Sequence, residues 1–153
     1  MMCIPLFVKG KMWKNFVSTK LIMEKITNFI LIDDDPLQLF IEEKLISKMI
    51  PDAHIISFTN AREGLEYIRK NYAAETDRPT FLLLDLEMPV MSGTEFIEAF
   101  IKTDERIRRQ LEVFILSSSI DLEKIHHACS HACVSRFISK PFTVEELDLI
   151  VSK

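Results

Sequence analysis

Short apolar runs alternate with segments of helical periodicity from about residue 26 to the end of the chain. The clearest runs lack polar alternation, which is typical of parallel strands covered on both faces. Helical segments between successive runs are typical of βα units. The pattern therefore predicts five parallel strands at residues 29–32, 54–58, 81–85, 113–116 and 136–138.

Capping residues and apolar spacing predict a helix after each strand. Asp35 with Pro36 begins the first helix, and Asn60 begins the second. Residues 143–146 have the spacing of a capping box, which begins the fifth. The third and fourth helices span about residues 94–102 and 122–132, and a polar loop covers residues 74–79. The buried side of the first helix is predicted to carry Leu37, Phe40, Ile41, Leu45 and Met49.

Polar residues stand at the ends of four predicted strands. They are Asp33 and Asp34 after the first, Asp85 at the end of the third, Ser117 after the fourth and Lys140 after the fifth. Ligands of open parallel sheets bind outside these carboxyl ends. Converging carboxylates repel one another and raise a pKa unless a cation offsets them. Mg²⁺ suits such an oxygen-rich site, especially one that also handles phosphate.

Together these residues indicate a site where a carboxylate is phosphorylated. Asp85 would be the nucleophile, and Asp33 or Asp34 would hold the metal together with it. Lys140 would contribute a point charge and Ser117 a hydrogen bond to the phosphoryl oxygens.

The chain from about residue 25 to residue 153 resembles the receiver domain of two-component response regulators. The acidic pair Asp33-Asp34, the loop Asp85-Leu-Glu-Met-Pro-Val-Met-Ser-Gly93, Ser117 and Lys140-Pro141-Phe142 carry the resemblance. It implies a doubly wound, flavodoxin-like α/β fold with a five-stranded parallel sheet in the order 2-1-3-4-5. It also implies a cis peptide bond before Pro141.

The resemblance further implies a function. A histidine kinase or a phosphotransfer protein would phosphorylate Asp85, and Mg²⁺ would be held by Asp34, Asp85 and the backbone carbonyl of Glu87. Ser117 would swing toward the phosphoryl group while Phe137 rotates inward. A face made of the fourth helix, the fifth strand and the fifth helix would then change for a downstream protein target. In this family the position of Glu87 tunes phosphoryl lifetime.

Composition narrows the classes of partner. The 153 residues carry a formal net charge of -4, whereas a basic face is expected for nucleic-acid binding. No apolar stretch is long enough to span a bilayer. Three cysteines without framework spacing indicate reduced thiols in a cytoplasmic protein.

Residues 1–22 differ from the rest of the chain and are predicted to be an N-terminal extension, poorly ordered or not native. The receiver domain would then cover residues 23–153. The basic residues of the extension follow its apolar run, which is unlike a signal peptide. Met23 leads directly into the first strand and is a candidate start, which N-terminal sequencing of the native protein would test.

The segment from His126 to Cys133 contains two pairs at four-residue spacing, His127 with His131 and Cys129 with Cys133. Zinc accepts both ligand types. The favoured interpretation is an amphipathic helix with alanine and cysteine buried and the histidines solvated. No other ligand cluster completes a zinc site, and cysteine is readily buried.

Two functions compete with a stand-alone phosphoacceptor. A phosphohydrolase with an aspartyl nucleophile usually needs a second Asp two residues later, where this chain has Glu87. A degenerate receiver would act only as a binding module, and the complete acidic set argues against it. The preferred interpretation is a signalling module and not an enzyme, beyond catalysing its own phosphotransfer and dephosphorylation.

Overall fold

Five parallel strands form one sheet in the computed structural model, which describes residues 28–72 and 79–152. The strand order is β2-β1-β3-β4-β5, which confirms the predicted doubly wound fold. The strands are β1 (Asn28–Ile32), β2 (His54–Phe58), β3 (Thr80–Asp85), β4 (Leu111–Ser117) and β5 (Val134–Ser139). The predicted extension at 1–22, the candidate start at Met23 and most of the predicted loop at 74–79 lie outside the described residues.

Helices connect the strands on both faces of the sheet. They are α1 (Pro36–Met49), α2 (Ala61–Asn71), α3 (Gly93–Phe100), α4 (Leu122–Cys129) and α5 (Val144–Val151). A four-residue helical segment, Glu105–Arg108, precedes β4. Helix α4 ends three residues before the predicted boundary at residue 132.

Strand side chains alternate between two cores. Ile30, Leu82 and Ile115 point into the core shared with α2, α3 and α4. Phe29, Leu83 and Phe114 point into the core shared with α1 and α5. Because β1, β3 and β4 are buried on both faces, their sequences are nearly continuous apolar runs.

The buried face of α1 differs from the prediction. Leu39 and Ile46 face the core, together with the acidic residue Glu42. Leu37 and Phe40 are 62% and 54% exposed, and Ile41 is also exposed. Leu45 and Met49 are partly buried against the core, as predicted. The prediction was wrong for Leu37, Phe40 and Ile41, because an acidic residue occupies the buried stripe in their place.

Caps begin most helices where the sequence predicted them. The side chain of Asp35 accepts from the N–H of Leu37, and that of Asn60 accepts from the N–H of Arg62. Thr143 Oγ1 accepts from the N–H of Glu146 at 3.3 Å, which is one half of the predicted capping box.

A complete capping box, which was not predicted, begins α3. Ser92 Oγ accepts from the N–H of Glu95, and the Glu95 carboxylate accepts from the N–H of Ser92. This reciprocal pair fixes the point where the loop after β3 becomes helix.

Candidate functional site

Three carboxylates meet at the carboxyl edge of the sheet. Asp33 follows β1 and Asp85 ends β3, and the register brings them level because Ile32 pairs with Leu84. One oxygen from each of Asp33, Asp34 and Asp85 lies within 4.8 Å of the other two. Asp33 and Asp85 are buried, whereas Asp34 is more exposed. The structure therefore brings together the three acidic residues that the sequence singled out.

Lys140 lies within this acidic cluster. Its Nζ donates a hydrogen bond to Asp33 Oδ2 and lies 3.3 Å from Asp85 Oδ1. Burial alone would lower the pKa of Lys140, but the hydrogen bond with Asp33 and the charge of Asp85 raise it above its ordinary value. Lys140 is thus a fixed cation between two carboxylates. The peptide bond that joins it to Pro141 is cis, as the resemblance implies.

Asp85 has an environment that favours its protonated form more than water does. Burial is the main cause of its raised pKa, while the charge of Lys140 lowers it and that of Asp33 raises it further. A hydrogen bond from the backbone N–H of Glu87 also favours the ionised form. The oxygen ligands of the cluster fit a hard divalent cation, which would offset the negative charge that one lysine leaves.

Ser117 is fully buried at the end of β4. Its Oγ accepts a hydrogen bond from the N–H of Ser119 at 3.0 Å, and its carbonyl accepts from the N–H of Lys140 at 3.0 Å. Phe137 on β5 is half-buried against the core on the α4 side of the sheet. Both residues therefore lie where the sequence predicted them, and their switching roles remain predictions.

The loop from Asp85 to Gly93 is closed by the N–H of Gly93, which donates to the carbonyl of Leu86 at 2.9 Å. A Cβ on Gly93 would lie 2.3 Å from the Asp85 carbonyl oxygen, so only glycine fits this approach. Val90 has a φ of 71° and is 80% exposed, an unfavourable backbone conformation for a β-branched residue.

Glu42 is a site neighbour that the sequence did not reveal. It is 2% exposed on α1, and its Oε1 has no hydrogen-bond partner among the described residues. Burial, followed by the charge of Asp33, raises its pKa from 4.5 to about 8. The available signal was its spacing with Leu39 and Ile46, which places an acidic residue on an otherwise apolar stripe.

The histidine and cysteine segment shows mixed agreement with its interpretation. Ala128 is buried and His126 and His127 are exposed, as expected for an amphipathic helix. Cys129 is exposed, so its predicted burial was wrong, and Cys133 is half-buried beyond the end of α4. Within residues 28–72 and 79–152, only the acidic cluster brings three metal-ligating side chains together.

Comparison with known families identifies this arrangement. The sequence model of the response regulator receiver domain matches residues 29–152, which is most of the chain. The chain belongs to the response regulator receiver domain family. Its acidic cluster, Ser117 and Lys140 thus lie in a receiver domain.

Known proteins similar to this receiver domain include a methylesterase and a phosphotransferase. It is 32% identical over 125 residues to a protein-glutamate methylesterase/protein-glutamine glutaminase of Treponema pallidum, covering 78% of this chain and 28% of that protein. It is 29% identical over 94 residues to sporulation initiation phosphotransferase F of Bacillus subtilis, covering 61% of this chain and 67% of that protein. The chain therefore spans little more than a quarter of the length of the first of these relatives.

The fold of the receiver domain also matches solved structures. A two-component response regulator from Cytophaga hutchinsonii superposes with a TM-score of 0.73 at 28% identity, over 82% of this chain and 94% of that one. In the part of the receiver domain that the structure describes, no helix combines the length and the apolar character needed to cross a membrane.

Proposed function

We propose that this receiver domain takes a phosphoryl group on Asp85 from a histidine kinase or a phosphotransfer protein. The observation that carries the proposal is the position of Lys140, whose Nζ lies between Asp33 and Asp85 at the edge where Asp34 completes the acidic cluster. A fixed cation beside a carboxylate is suited to a phosphoryl group in transfer.

Asp85 is the nucleophile of the proposed transfer. One carboxylate oxygen attacks phosphorus in line and forms the new O–P bond. The P–N bond to the donor histidine breaks, its electron pair goes to the imidazole nitrogen, and that nitrogen takes a proton from solvent. Asp85 reacts as a carboxylate, and the charge of Lys140 favours that form. Lys140 then binds an oxygen of the acyl phosphate.

Mg²⁺ is the proposed cofactor, and Asp33, Asp34, Asp85 and the backbone carbonyl of Glu87 would hold it. The three carboxylates suit the ion because they are hard oxygen ligands close to one another. When bound, Mg²⁺ would neutralise negative charge on the phosphoryl oxygens.

The proposed switch runs through Ser117 and Phe137. Ser117 Oγ would leave the N–H of Ser119 and bind the phosphoryl group, and Phe137 would turn inward from its half-buried position. The face formed by α4, β5 and α5 would then present a changed surface to a downstream protein target.

The relatives support a signalling role in part. The phosphotransferase name of the Bacillus subtilis protein is consistent with phosphoryl transfer. The methylesterase name is not carried over, because the match covers 28% of that protein. We propose a cytoplasmic signalling module that acts on proteins, with neither nucleic acid nor a membrane as its partner and with no activity toward other substrates.

Incubation with acetyl phosphate and Mg²⁺ tests the proposal. Intact-protein mass spectrometry should detect one phosphoryl adduct on the natural sequence and none on Asp85→Asn, whereas Asp52→Asn, an exposed control, should be labelled normally. Turnover of phosphoesters would favour a phosphohydrolase instead. Absence of an adduct under every condition would contradict the proposal and favour a binding module.

A further inference from the structure

An ion pair joins the loop after Asp85 to helix α4. Lys124 Nζ lies 3.8 Å from Glu87 Oε1 and 3.9 Å from Asp121 Oδ2. Glu87 belongs to the loop and Lys124 to the first turn of α4, so the pair crosses the gap between two separate elements.

The Glu87 carboxylate lies outside the acidic cluster, although its backbone is next to Asp85. The N–H of Glu87 donates to the Asp85 carboxylate. Yet among the described residues the cluster consists of Asp33, Asp34 and Asp85, without the Glu87 side chain. The cluster therefore holds three carboxylates, and a fourth acidic residue lies two positions after Asp85 along the loop.

The Glu87 side chain borders an open cavity. A cavity lies between the loop and α4, and Glu87 and Lys124 line it together with Met88, Ser119 and His127. The Lys124 side chain is 62% exposed and the Glu87 side chain 48% exposed, so neither is enclosed by the core. Among the described residues, Lys124 is the cation paired with the Glu87 carboxylate.

A chain of hydrogen bonds that begins at Ser117 fixes the backbone of Lys124. The N–H of Ser119 donates to Ser117 Oγ, and the N–H of Asp121 donates to Ser119 Oγ. Asp121 Oδ1 then accepts from the N–H groups of Glu123 and Lys124. Lys124 therefore extends toward Glu87 from a well-supported helix end.

We propose that Lys124 is a positioning residue, which holds the Glu87 carboxylate away from the phosphoryl position and keeps the site open to anionic donors. This role rests on the proposed acceptor function of Asp85. Without Lys124, Glu87 turns toward the cluster, repels an anionic phosphoryl donor and adds a fourth ligand for a divalent cation.

Two measurements on four variants test this role: Lys124→Ala, Glu87→Gln, the double variant, and Lys70→Ala as an exposed control on α2. Lys124→Ala should slow labelling by acetyl phosphate about twofold to fivefold at low ionic strength. The effect should become smaller in about 0.5 M salt, where the Debye length of about 4 Å screens the charges of exposed groups. The double variant should be labelled as fast as Glu87→Gln, and Lys70→Ala as fast as the natural sequence.

Calorimetric titration with Mg²⁺ gives a second measurement that does not depend on phosphorylation. Lys124→Ala should bind Mg²⁺ about twofold to fivefold more tightly, and the double variant should lose that gain. Unchanged Mg²⁺ affinity in Lys124→Ala, or a double variant as slow as Lys124→Ala, would overturn the role of Lys124 while labelled natural protein still supported Asp85 as acceptor. If the natural protein is not labelled, the acceptor function fails and the titration alone decides whether Lys124 directs Glu87.

Discussion

Replacing Glu42 with glutamine should change how stability depends on pH. The Glu42 side chain is buried on α1, and burial, followed by the charge of Asp33, raises its pKa from 4.5 to about 8. Its carboxyl group is therefore protonated in the folded protein at pH 7 and ionised in the unfolded chain. Glutamine has nearly the same shape and is neutral in both states.

The magnitude follows from the two pKa values. The pKa of Glu42 is higher in the folded protein than in the unfolded chain, so ionisation of Glu42 favours the unfolded chain. This destabilisation is absent below about pH 4.5, grows as the pH rises, and is complete above about pH 8. The slope is about 1.4 kcal/mol per pH unit. The 2.5 pH units between 4.5 and 7 therefore correspond to about 3 kcal/mol at neutral pH. Glu42→Gln removes this destabilisation and so increases the free energy of unfolding. Burying the glutamine amide costs about 1–3 kcal/mol, which reduces that increase by the same amount at every pH.

Urea unfolding followed by far-UV circular dichroism measures this effect. The unfolding free energies of Glu42→Gln and the natural sequence are compared at pH 5, 6, 7 and 8, in constant salt and without divalent cations. Glu42→Gln should gain about 1.4 kcal/mol relative to the natural sequence with each pH unit in this range. Asp85 and other titrating groups are common to both proteins, so their contributions largely cancel. Glu66→Gln, at an exposed position on α2, should follow the natural sequence. Parallel stability profiles for Glu42→Gln and the natural sequence would refute the reasoning.

The glycines and Lys140 give two further predictions. Gly93→Ala should destabilise the protein by about 2–3 kcal/mol, because the new Cβ would meet the backbone of Asp85 and Leu86. Gly64→Ala should stay within about 1 kcal/mol, because its Cβ would meet side-chain atoms of Ile32 and Phe58, which can shift, and no backbone atom, and because alanine favours the helix. Equal urea midpoints for the two variants would contradict this difference. Lys140→Met should slow labelling by acetyl phosphate on the order of 10²-fold, measured by intact-protein mass spectrometry, and unchanged labelling would exclude Lys140 from phosphoryl binding.

The fold and most of the candidate site could be predicted because the sequence signals agreed with one another. Apolar runs without alternation indicated a sheet covered on both faces, and the capping residues Asp35 and Asn60 indicated where helices begin. In a parallel sheet the carboxyl ends of the strands share one edge, so Asp33, Asp85 and Lys140 had to lie near one another. The strand order that places β1 beside β3 came from the family resemblance, and the structure confirms it.

The features that escaped prediction depend on tertiary contacts. Helix α1 has apolar residues on both sides, so its rotation is decided by how Leu39 and Ile46 pack against the core shared with α5. Glu42 is carried into the interior by that packing. The Lys124 to Glu87 pair joins elements that are far apart in sequence and depends on side-chain reach. Local periodicity contains none of this information.

The pairing of Lys140 with Asp33 joins residues 107 positions apart in the sequence. Contacts of such separation form only once the intervening strands have assembled, because the entropy of closing the loop must be overcome first. A chain whose β5 has not joined the sheet lacks the cation of the site, even when Asp85 is already in place. The ability to accept a phosphoryl group is therefore expected to be one of the last properties that the chain acquires during folding. A partly folded chain would not be phosphorylated by its donor.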